Sequence, residues 1–379
     1  LPVLKKSIWI HAASMGEING IYSYFEIIAN QYPDTPIIIT TTSLTGLKKV
    51  RSTFPNHIYS FLFPLDIFPV TYYYIKKLNP KRIIIMETEI WPCFLYLLNI
   101  KKIPALLING RLSEKSLKNY KKTNFIWRPA LSAFCHIIAK AEDDKKRFLL
   151  LGYPQNQVNV IDQIKNIGIL NQFRKKRIEI TEISQWKENH ILIIFASIRD
   201  KEEDSIIQLI SKLIKSTDSI KIIIAPRHMN RIESWEQKLK KQETDYIKKS
   251  MLKQDDSRIL LLDTMGELLS CFQYSSLAFV GGTLFDYGGH NVLEPVLFQC
   301  PVLFGPYTSS CQGEAALVTR FQAGKKILNP ENLEKEINFL LTHPIDIDVL
   351  KKHCREIIHY LENNKENLNH FITPFLNGL

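Results

Sequence analysis

The segment FVGGTLFDYGGHNVLE, from Phe279 to Glu294, joins an apolar strand-like stretch to two pairs of glycines and then to the expected start of a helix. Glycines at the end of a strand let the backbone turn tightly and approach a ligand closely. Asn291 and Glu294 stand three residues apart where the helix should begin. A phosphate over a helix N-terminus and a carboxylate on a ribose diol suit this arrangement. The segment therefore favours a site for an activated sugar.

A second interpretation of the same residues needs no ligand. Asn291 and Glu294 also match a capping box, in which the two side chains bond to free amides of the first helical turn. The residues alone leave both interpretations open. The glycine pairs favour the ligand site, because a helix cap does not require them.

The succession of apolar strand, turn and helix recurs along the chain. Short apolar strands that alternate with helices predict a parallel sheet covered by helices on both faces. In the first half we expect strands at Ser7–Ala13, Pro36–Thr41, Pro80–Met86, Ala105–Asn109 and Cys135–Ala139. In the second half we expect them at His190–Ala196, Ile220–Pro226, Arg258–Leu262, Leu277–Val280 and Pro301–Phe304.

The length of the chain predicts how these elements are grouped. A chain of 379 residues is too long for one ordinary domain. We expect an α/β fold of two doubly wound, Rossmann-like domains that face a cleft, with ligands at the carboxyl ends of the strands. The expected boundaries are 1–172 for the first domain, 173–345 for the second, and 346–379 for a helical tail that packs back toward the first.

Composition and charge limit the classes of partner. The apolar fraction of 45% is that of a globular protein with large cores, and the formal net charge of +11 suggests anionic partners. The lysines are scattered and lack interleaved aromatic residues, which argues against a nucleic-acid surface. None of the six cysteines forms a C-x-x-C pair, so we expect reduced thiols and no structural metal site.

The start of the chain bears on its relation to membranes. No apolar run reaches the roughly 18 residues that span a bilayer, and there is no signal peptide. The sequence begins at Leu1 directly before a strand, from which we expect that a preceding segment has been removed.

Polar residues collect after the predicted strands. Ser14, Gly16 and Glu17 follow the first strand, where the glycine permits a tight turn and the carboxylate can act as a general base toward a sugar hydroxyl. Thr264–Glu267 repeats this pattern after a later strand. The alternative for both segments is again a capping box.

Charged side chains occupy other strand ends. Glu87 and Glu89 follow the third strand, and two carboxylates so close together are costly unless they are solvated or partnered, which favours a cleft over a surface loop. Arg227 ends another strand, and its planar guanidinium can bind a phosphate or a nucleobase carbonyl. Ser197 and Arg199 follow a further strand, where the hydroxyl can bond to a phosphate or a carboxylate.

Seven motifs, taken in order, carry a resemblance to a known family. They are HAASMGE, IIIMETEIWP, NGRLSEKS, IAPRH, DTMGEL, GGHNVLEP and VLFGPYT. The set resembles the Kdo transferases of lipopolysaccharide synthesis, where Kdo is 3-deoxy-D-manno-octulosonic acid. The match runs from about Trp9 to Thr308, and motifs that share one order are far more specific than any single one.

The resemblance implies a GT-B glycosyltransferase at the cytoplasmic face of the inner membrane, held there peripherally or by a short hydrophobic N-terminal anchor. It implies inverting transfer of Kdo from CMP-Kdo to a lipid A precursor, and in some members onto Kdo already attached, with no metal or cofactor in the site. The implied partners are the donor, the acceptor and an anionic phospholipid surface, and not a nucleic acid.

The resemblance also implies roles for individual residues. Glu17 resembles the general base, and Glu87 and Lys165 resemble residues that stabilise the transition state. The residues implied on the acceptor side are Ser14, Gly16 and Arg111. The residues implied at the CMP-Kdo site are Ser197, Arg199, Pro226, Arg227, Met265, Gly266, Glu267, Gly282, Asn291, Val292, Leu293 and Glu294.

The chain departs from the family pattern at three places. The family's Ser-Thr-His-x-Gly-Glu-Glu reads SIRDKEE from Ser197, its Gly-Asn/Ser-Leu-Lys reads DQIK up to Lys165, and its Pro-His-Thr reads PYT. These changes affect expected contacts to the Kdo carboxylate and the phosphate, although Arg199 can substitute as a cation. The altered positions are Asp162, Ile198, Arg199, Lys201 and Tyr307.

The motifs leave two alternatives open. One is a related GT-B transferase or sugar epimerase with a different nucleotide donor, which a thermal-shift comparison of CMP, UMP, UDP and GDP would detect. The other is a catalytically impaired, lipopolysaccharide-binding protein, although the retention of Glu17, Glu87 and Lys165 argues against it.

Overall fold

The computed structural model describes residues 1–175, 179–253 and 256–377, which form two compact units. Unit 1 consists of Leu1–Gln172 and Leu361–Leu379, and unit 2 consists of Phe173–Tyr360. Each unit contains one seven-stranded sheet in which all neighbouring strands are parallel. The predicted α/β fold of two doubly wound domains is confirmed.

Unit 1 alternates strands and helices. Its strands are β1 (Ser7–His11), β2 (Ile37–Thr41), β3 (Tyr59–Leu62), β4 (Pro80–Met86), β5 (Ala105–Gly110), β6 (Phe134–Ala139) and β7 (Val158–Val160). Its helices are α1 (Met15–Gln31), α2 (Leu44–Thr53), α3 (Phe68–Leu78), α4 (Pro92–Ile100), α5 (Glu114–Lys122), α6 (Asn124–Leu131), α7 (Glu142–Leu150) and α8 (Ile164–Lys175), the last of which crosses into unit 2.

The sheet of unit 1 is apolar on both faces because alternate side chains of a strand point to opposite sides. Ile8 and Ile10 of β1 pack in one core with residues of α1, whereas Trp9 packs in the other, with its ring centroid 5.1 Å from that of Phe94 in α4. The strand order is β3-β2-β1-β4-β5-β6-β7, so it reverses between β1 and β4. Doubly wound sheets bind ligands at the carboxyl ends of strands at such a reversal.

Unit 2 repeats this organisation. Its strands are β8 (Ile191–Ile198), β9 (Ile220–Pro226), β10 (Ile247–Lys248), β11 (Ile259–Leu261), β12 (Leu277–Val280), β13 (Val302–Phe304) and β14 (Gly324–Lys326). Its helices are α9 (Thr181–Lys187), α10 (Glu203–Ser216), α11 (Ile232–Lys241), α12 (Leu268–Phe272), α13 (Leu293–Leu297), α14 (Gln312–Arg320), α15 (Pro330–Thr342) and α16 (Pro344–Leu376), which ends in unit 1. The order β10-β11-β9-β8-β12-β13-β14 reverses between β8 and β12.

The long helix α16 contributes to both units. Its first part buries Ile347 and Leu350 in the core of unit 2, and its last part buries Leu368 and Ile372 in the core of unit 1. Of the tail predicted at 346–379, the part up to Leu376 belongs to the single helix α16, and its residues from Leu361 onward belong to unit 1.

The ten predicted strands all exist, with ends that differ by at most two residues. The four strands that the sequence did not predict are β3, β7, β10 and β14. They are the outer strands of the two sheets and are short and partly exposed, so they lack the continuous apolar run of a central strand. Within the described ranges, no helix combines the length and apolar content needed to cross a bilayer.

Candidate active site

Glu17, Glu87 and Lys165 meet at the carboxyl edge of the sheet in unit 1, next to the reversal of strand order. Lys165 Nζ lies 2.6 Å from Glu87 Oε1. Lys165 also lies over the start of α1, since a Cβ placed on Gly16 would be 3.7 Å from its Nζ, and one placed on Gly20 would be 3.6 Å from its Cγ. The side chains predicted to be catalytic therefore share one edge of the sheet.

Glu17 is held by the start of its own helix. Its carboxylate accepts hydrogen bonds from Ala13 N at 2.8 Å and from the Ser14 hydroxyl at 2.6 Å. Ser14 Oγ in turn accepts from Glu17 N at 3.3 Å. Ser14 thus caps α1 as the capping-box interpretation expects, whereas the carboxylate of Glu17 accepts from Ala13 N in place of the Ser14 backbone N–H of a regular capping box. The same bonds fix the carboxylate in one position, so capping and a role as a base are compatible.

Glu87 lies in an unusual backbone conformation directly after β4. Its φ is +56°, and that of Asn109 at the end of the neighbouring β5 is +58°. Asn109 Nδ2 donates to Glu87 Oε1 at 3.2 Å. Left-handed conformations in residues other than glycine cost about 1 kcal/mol or more and cluster at functional sites.

Glu89 completes a group of three carboxylates, and the sequence had indicated it only as the companion of Glu87. Burial raises the pKa of the Glu89 carboxyl above its usual value, and the charges of Glu17 and Glu87 raise it further. A carboxyl whose pKa is raised by burial and by neighbouring carboxylates is typical of acid–base sites.

Arg111, predicted on the acceptor side, follows β5. Its backbone N–H donates to Thr88 Oγ1 at 2.8 Å, which ties the loop after β5 to the loop that carries Glu87. The side chain of Arg111 lines a cavity of about 690 Å³ together with Glu87.

In unit 2, basic side chains gather at the reversal between β8 and β12. Arg199 Nη1 is 2.9 Å from His228 Nε2, and its guanidinium lies 4.5 Å from the centroid of the Tyr287 ring. Burial, followed by the charges of Arg227, Arg199 and His228, lowers the pKa of His290 to about 4. Two predicted arginines thus stand with two histidines to which the sequence analysis gave no role in the site, an arrangement suited to an anion.

Ser197 and Arg227 occupy adjacent strand ends in this group. Ser197 has a φ of +57° where the pairing of β8 with β9 shifts register, and Ile198 there lies opposite Pro226. Arg227 N donates to Ile198 O at 3.0 Å. The irregular end of β8 therefore positions Ser197, Arg199 and Arg227 near one another.

The turn that contains the first glycine pair binds a carboxylate of the chain itself. Glu202 is fully buried and accepts hydrogen bonds from the backbone N–H groups of Gly282, Thr283 and Leu284 at 2.7, 3.1 and 3.0 Å, and from Arg199 N at 3.0 Å. The backbone that the glycine pattern placed close to a ligand thus has an internal partner in Glu202. The place of Gly282 in the donor site stays a prediction.

The presence of glycine at position 281 is also explained by packing within the protein. A Cβ at this position would lie 2.8 Å from Ser197 O and 2.8 Å from Glu202 Oε2, so only glycine lets the turn approach the end of β8. Close packing of the chain on itself thus accounts for Gly281, and the ligand interpretation of the glycine pairs stays a prediction.

In the segment Asn291–Glu294, the side chain of Asn291 caps the start of a helix. Helix α13 begins at Leu293 after Val292, whose backbone is already helical, and Asn291 Oδ1 accepts from Leu293 N at 3.0 Å. Val292 and Leu293 are fully buried and anchor the segment in the core. The predicted contacts of this segment with a donor rest on the motif and stay predictions.

The turn Thr264–Glu267 is open to solvent. Met265 is 81% exposed, Gly266 has a φ of +86°, and the Thr264 hydroxyl bonds to the carboxylate of Glu267. Helix α12 starts only at Leu268, and Glu267 does not cap it through its side chain. The exposed turn leaves the predicted donor contacts sterically free.

Arg199 has been described above, and the other four residues that depart from the family pattern lie in different environments. Ile198 is buried in the core, and Asp162 Oδ1 accepts from Asn364 Nδ2 of α16 at 2.9 Å. Lys201 and Tyr307 are exposed. All six cysteines are free, and among the described residues no group of three or more His, Cys, Asp or Glu side chains is placed to hold a metal ion.

Comparison with known proteins identifies the family. The family of 3-deoxy-D-manno-octulosonic-acid transferases (Kdo transferases) matches residues 2–167. The 3-deoxy-D-manno-octulosonic acid transferase of Haemophilus influenzae is 32% identical over 305 residues, which cover 80% of this chain and 71% of that protein. The chain belongs to the Kdo transferase family. The corresponding protein of Rickettsia felis is 29% identical over 381 residues, with 97% of this chain and 79% of that protein covered.

The resemblance drawn from the seven motifs is thus confirmed, and the chain is a glycosyltransferase. Solved structures agree on the fold. A UDP-GlcNAc 2-epimerase from Neisseria meningitidis superposes with a TM-score of 0.56 at 16% identity, over 94% of this chain and 100% of that one. A glycosyltransferase from Rickettsia africae gives a TM-score of 0.56 at 14% identity, over 99% and 100%. The architecture is that of the GT-B fold.

Proposed function

We propose that this Kdo transferase moves Kdo from CMP-Kdo to a lipid A precursor with inversion, and that it needs no metal. The observation that carries the proposal is the meeting of Glu17, Glu87 and Lys165 at one strand edge, with Lys165 Nζ 2.6 Å from Glu87 Oε1. Membership of the family supports the sugar, and the roles of the residues follow from their chemistry.

In the proposed reaction Glu17 removes the proton of the acceptor hydroxyl as the oxygen attacks the anomeric carbon of Kdo. The bond from that carbon to the CMP phosphate breaks, and CMP leaves with the bonding electrons. Positive charge develops on the sugar, and the carboxylate of Glu87 stabilises it. Lys165 holds Glu87 in place through their ion pair.

The donor is doubly anionic, since it carries a phosphate and the Kdo carboxylate. We assign it to unit 2, where Arg199, Arg227, His228 and His290 gather. A planar guanidinium suits both groups. The predicted contact of Glu294 with the ribose belongs to the same proposal.

The acceptor is a lipid, so we place the enzyme on the cytoplasmic face of the inner membrane, against anionic phospholipid. Unit 1 presents an apolar ridge (Leu65–Tyr73), in which Leu65 is 73%, Ile67 52%, Phe68 56% and Tyr73 48% exposed. Lys76 and Lys77 follow in the last turn of α3. Apolar side chains beside lysines suit an anionic membrane surface.

The substitution Glu17→Gln tests the proposal. Glutamine keeps the shape and much of the capping but loses basicity, so CMP binding and folding should survive while transfer falls by about 10²–10⁴-fold. The measurement is product formation from CMP-Kdo and a tetra-acyl lipid A precursor by mass spectrometry. Glu182→Gln is the matched control, because Glu182 is an exposed glutamate in the first turn of α9.

Transfer at the wild-type rate by the Glu17→Gln protein would place the base elsewhere, with Glu87 and Glu89 as the next residues to test. A wild-type protein that is stabilised by UDP or GDP but not by CMP would contradict the proposed donor instead. The two results concern different parts of the proposal and are read separately.

A further inference from the structure

The cavity of about 690 Å³ in unit 1 extends away from Glu87 toward α5 and α7. Its basic wall residues are Arg111, Lys140 and Arg147. Arg147 is used within the protein, since it pairs with Asp144 at 3.5 Å. Among the residues that the structure describes, no carboxylate lies within ion-pair distance of Arg111 or Lys140. Two cations of this wall are therefore available to a ligand.

The acidic wall residues other than Glu87 are Glu89, Asp143 and Asp144, and among the described residues none of them forms an ion pair with Arg111 or Lys140. Asp144 accepts from Leu112 N at 2.9 Å and pairs with Arg147. Asp143 pairs with Lys146 at 3.3 Å. Asp143 and Asp144 thus have cationic partners of their own, and Glu89 lies beside Glu87. Arg111 and Lys140 are the two cations of the wall that have no carboxylate partner among the described residues.

The charges around Lys140 favour the binding of an anion. Burial lowers the pKa of the Lys140 ammonium, and the charges of Arg111 and Lys165 lower it further. The charges of Glu87 and Asp144 raise this pKa but do not cancel the shift. Like charges held near one another repel, and a bound anion removes that repulsion.

Hydroxyl groups complete the cavity at the first turn of α5. Ser113 Oγ accepts from Ser116 N at 3.1 Å and lies 2.9 Å from Ser116 Oγ, and both serines line the cavity. Helix α5 has nine residues, and its N-terminus adds a positive dipole end. Guanidinium, ammonium and hydroxyl donors around one space suit a phosphomonoester or a carboxylate.

We infer that this cavity binds an anionic group of the acceptor, a phosphomonoester or a sugar carboxylate, through Arg111 and Lys140. The inference rests on the proposed function, because it takes the reacting hydroxyl to lie at Glu17 and Glu87. The cavity starts at Glu87, so one acceptor molecule can present its hydroxyl there and its anionic group to the cavity.

Steady-state transfer by Arg111→Gln and Lys140→Gln tests the inference. Each variant loses a charge-assisted bond, so KM for the acceptor should rise about tenfold or more while kcat changes little. Lys118→Gln is the matched control, since Lys118 is exposed on α5 and does not line the cavity.

The choice of acceptor shows which anionic group binds. If KM rises with a bisphosphorylated tetra-acyl acceptor but not with the monophosphorylated form, the bound group is the phosphate. An effect only with a Kdo-bearing acceptor identifies the carboxylate. Unchanged KM for all three acceptors in both variants overturns the inference.

A second measurement does not depend on transfer. Acetylation of lysines by an N-hydroxysuccinimide ester is followed by mass spectrometry in inorganic phosphate and in chloride at equal ionic strength. Phosphate should slow the modification of Lys140 severalfold without affecting Lys118, and Arg111→Gln should abolish the protection. Protection in a protein that transfers no Kdo would retain the anion site and reject the proposed function. Absence of protection together with unchanged KM rejects the site alone.

Discussion

Glu17 and Glu202 are both buried glutamates that accept hydrogen bonds from the backbone, yet their bonds differ in range. Glu202 joins Arg199 to residues 282–284, so it connects the ends of two strands that are distant in sequence. Within the described residues, the carboxylate of Glu17 accepts hydrogen bonds only from Ala13 and Ser14. Buried carboxylates are costly unless donors satisfy them. Removing the charge of Glu17 therefore disturbs only a local cap, which is why the fold should tolerate Glu17→Gln.

His11 gives a residue-scale prediction about pH. Its ring is fully buried, Nδ1 lies 3.0 Å from Thr40 Oγ1, and burial lowers its pKa to about 3 against a bond with Thr40 that raises it. The unfolded chain binds this proton below a pH of about 6.5, whereas the folded chain does not until about 3, so stability falls as the pH drops between these values. Acidification from pH 7 to about 4.5 should therefore lower the free energy of unfolding by about 2–3 kcal/mol less in His11→Gln than in the wild type.

Urea unfolding at the two pH values measures this difference. His57→Gln is the control, because His57 is exposed. An unfolding midpoint that drops equally on acidification in wild type and His11→Gln would mean that His11 is not the buried titrating group.

At the scale of elements, the contact between α1 and α8 positions Lys165. A Cβ on Gly168 of α8 would lie 2.5 Å from Asn19 O, so the two helices are in backbone contact. Asn171 Nδ2 also donates to Tyr22 O at 3.3 Å. Lys165 is one turn before Gly168, and its side chain crosses α1 at Gly16 and Gly20. The glycine faces of two helices thus set where the Lys165 ammonium lies.

Gly168→Ala should push α8 away from α1. The new methyl group meets a backbone oxygen that cannot rotate aside, so we expect a loss of about 1–3 kcal/mol in stability and a displaced Lys165. Gly313→Ala in α14 is the matched control, because its Cβ would have no neighbour within 4 Å. That change should stabilise the protein by about 0.4–1 kcal/mol through the unfolded state. Thermal unfolding and Kdo transfer are measured on both proteins, and a Gly168→Ala protein with wild-type stability and rate would contradict the packing argument.

At the scale of the whole molecule, the apolar runs in the sequence predict the central strands and their alternation with helices, but they do not predict the strands at the edges of the sheets. Strand β14 reads GKK and is mostly exposed, so its pairing depends on β13 beside it rather than on its own residues. The site shows the same division. Glu17 and Glu87 could be predicted because they follow apolar strands, whereas Lys165 required the family motif. The hydrogen bonds of Glu202 and the lack of a carboxylate partner for Lys140 among the described residues depend on segments that are distant in sequence. No local sequence pattern encodes them.

The charge of the whole chain leads to a last prediction, about membranes. With a net charge of +11 and an apolar ridge (Leu65–Tyr73) in unit 1, the protein should sediment with phosphatidylglycerol liposomes at low salt and less so at high salt. The double substitution Leu65→Ser with Phe68→Ser keeps the net charge and removes two large apolar side chains. Burying each of them in the membrane would contribute about 1.5–3 kcal/mol, so liposome binding should fall at least tenfold. Leu328→Ser with Val349→Ser is the control, since these residues are 69% and 45% exposed in unit 2. If wild type does not bind at low salt, a basic docking face is excluded. If the ridge variant binds as wild type does while salt still releases both, charge alone holds the protein to the surface and the ridge does not insert.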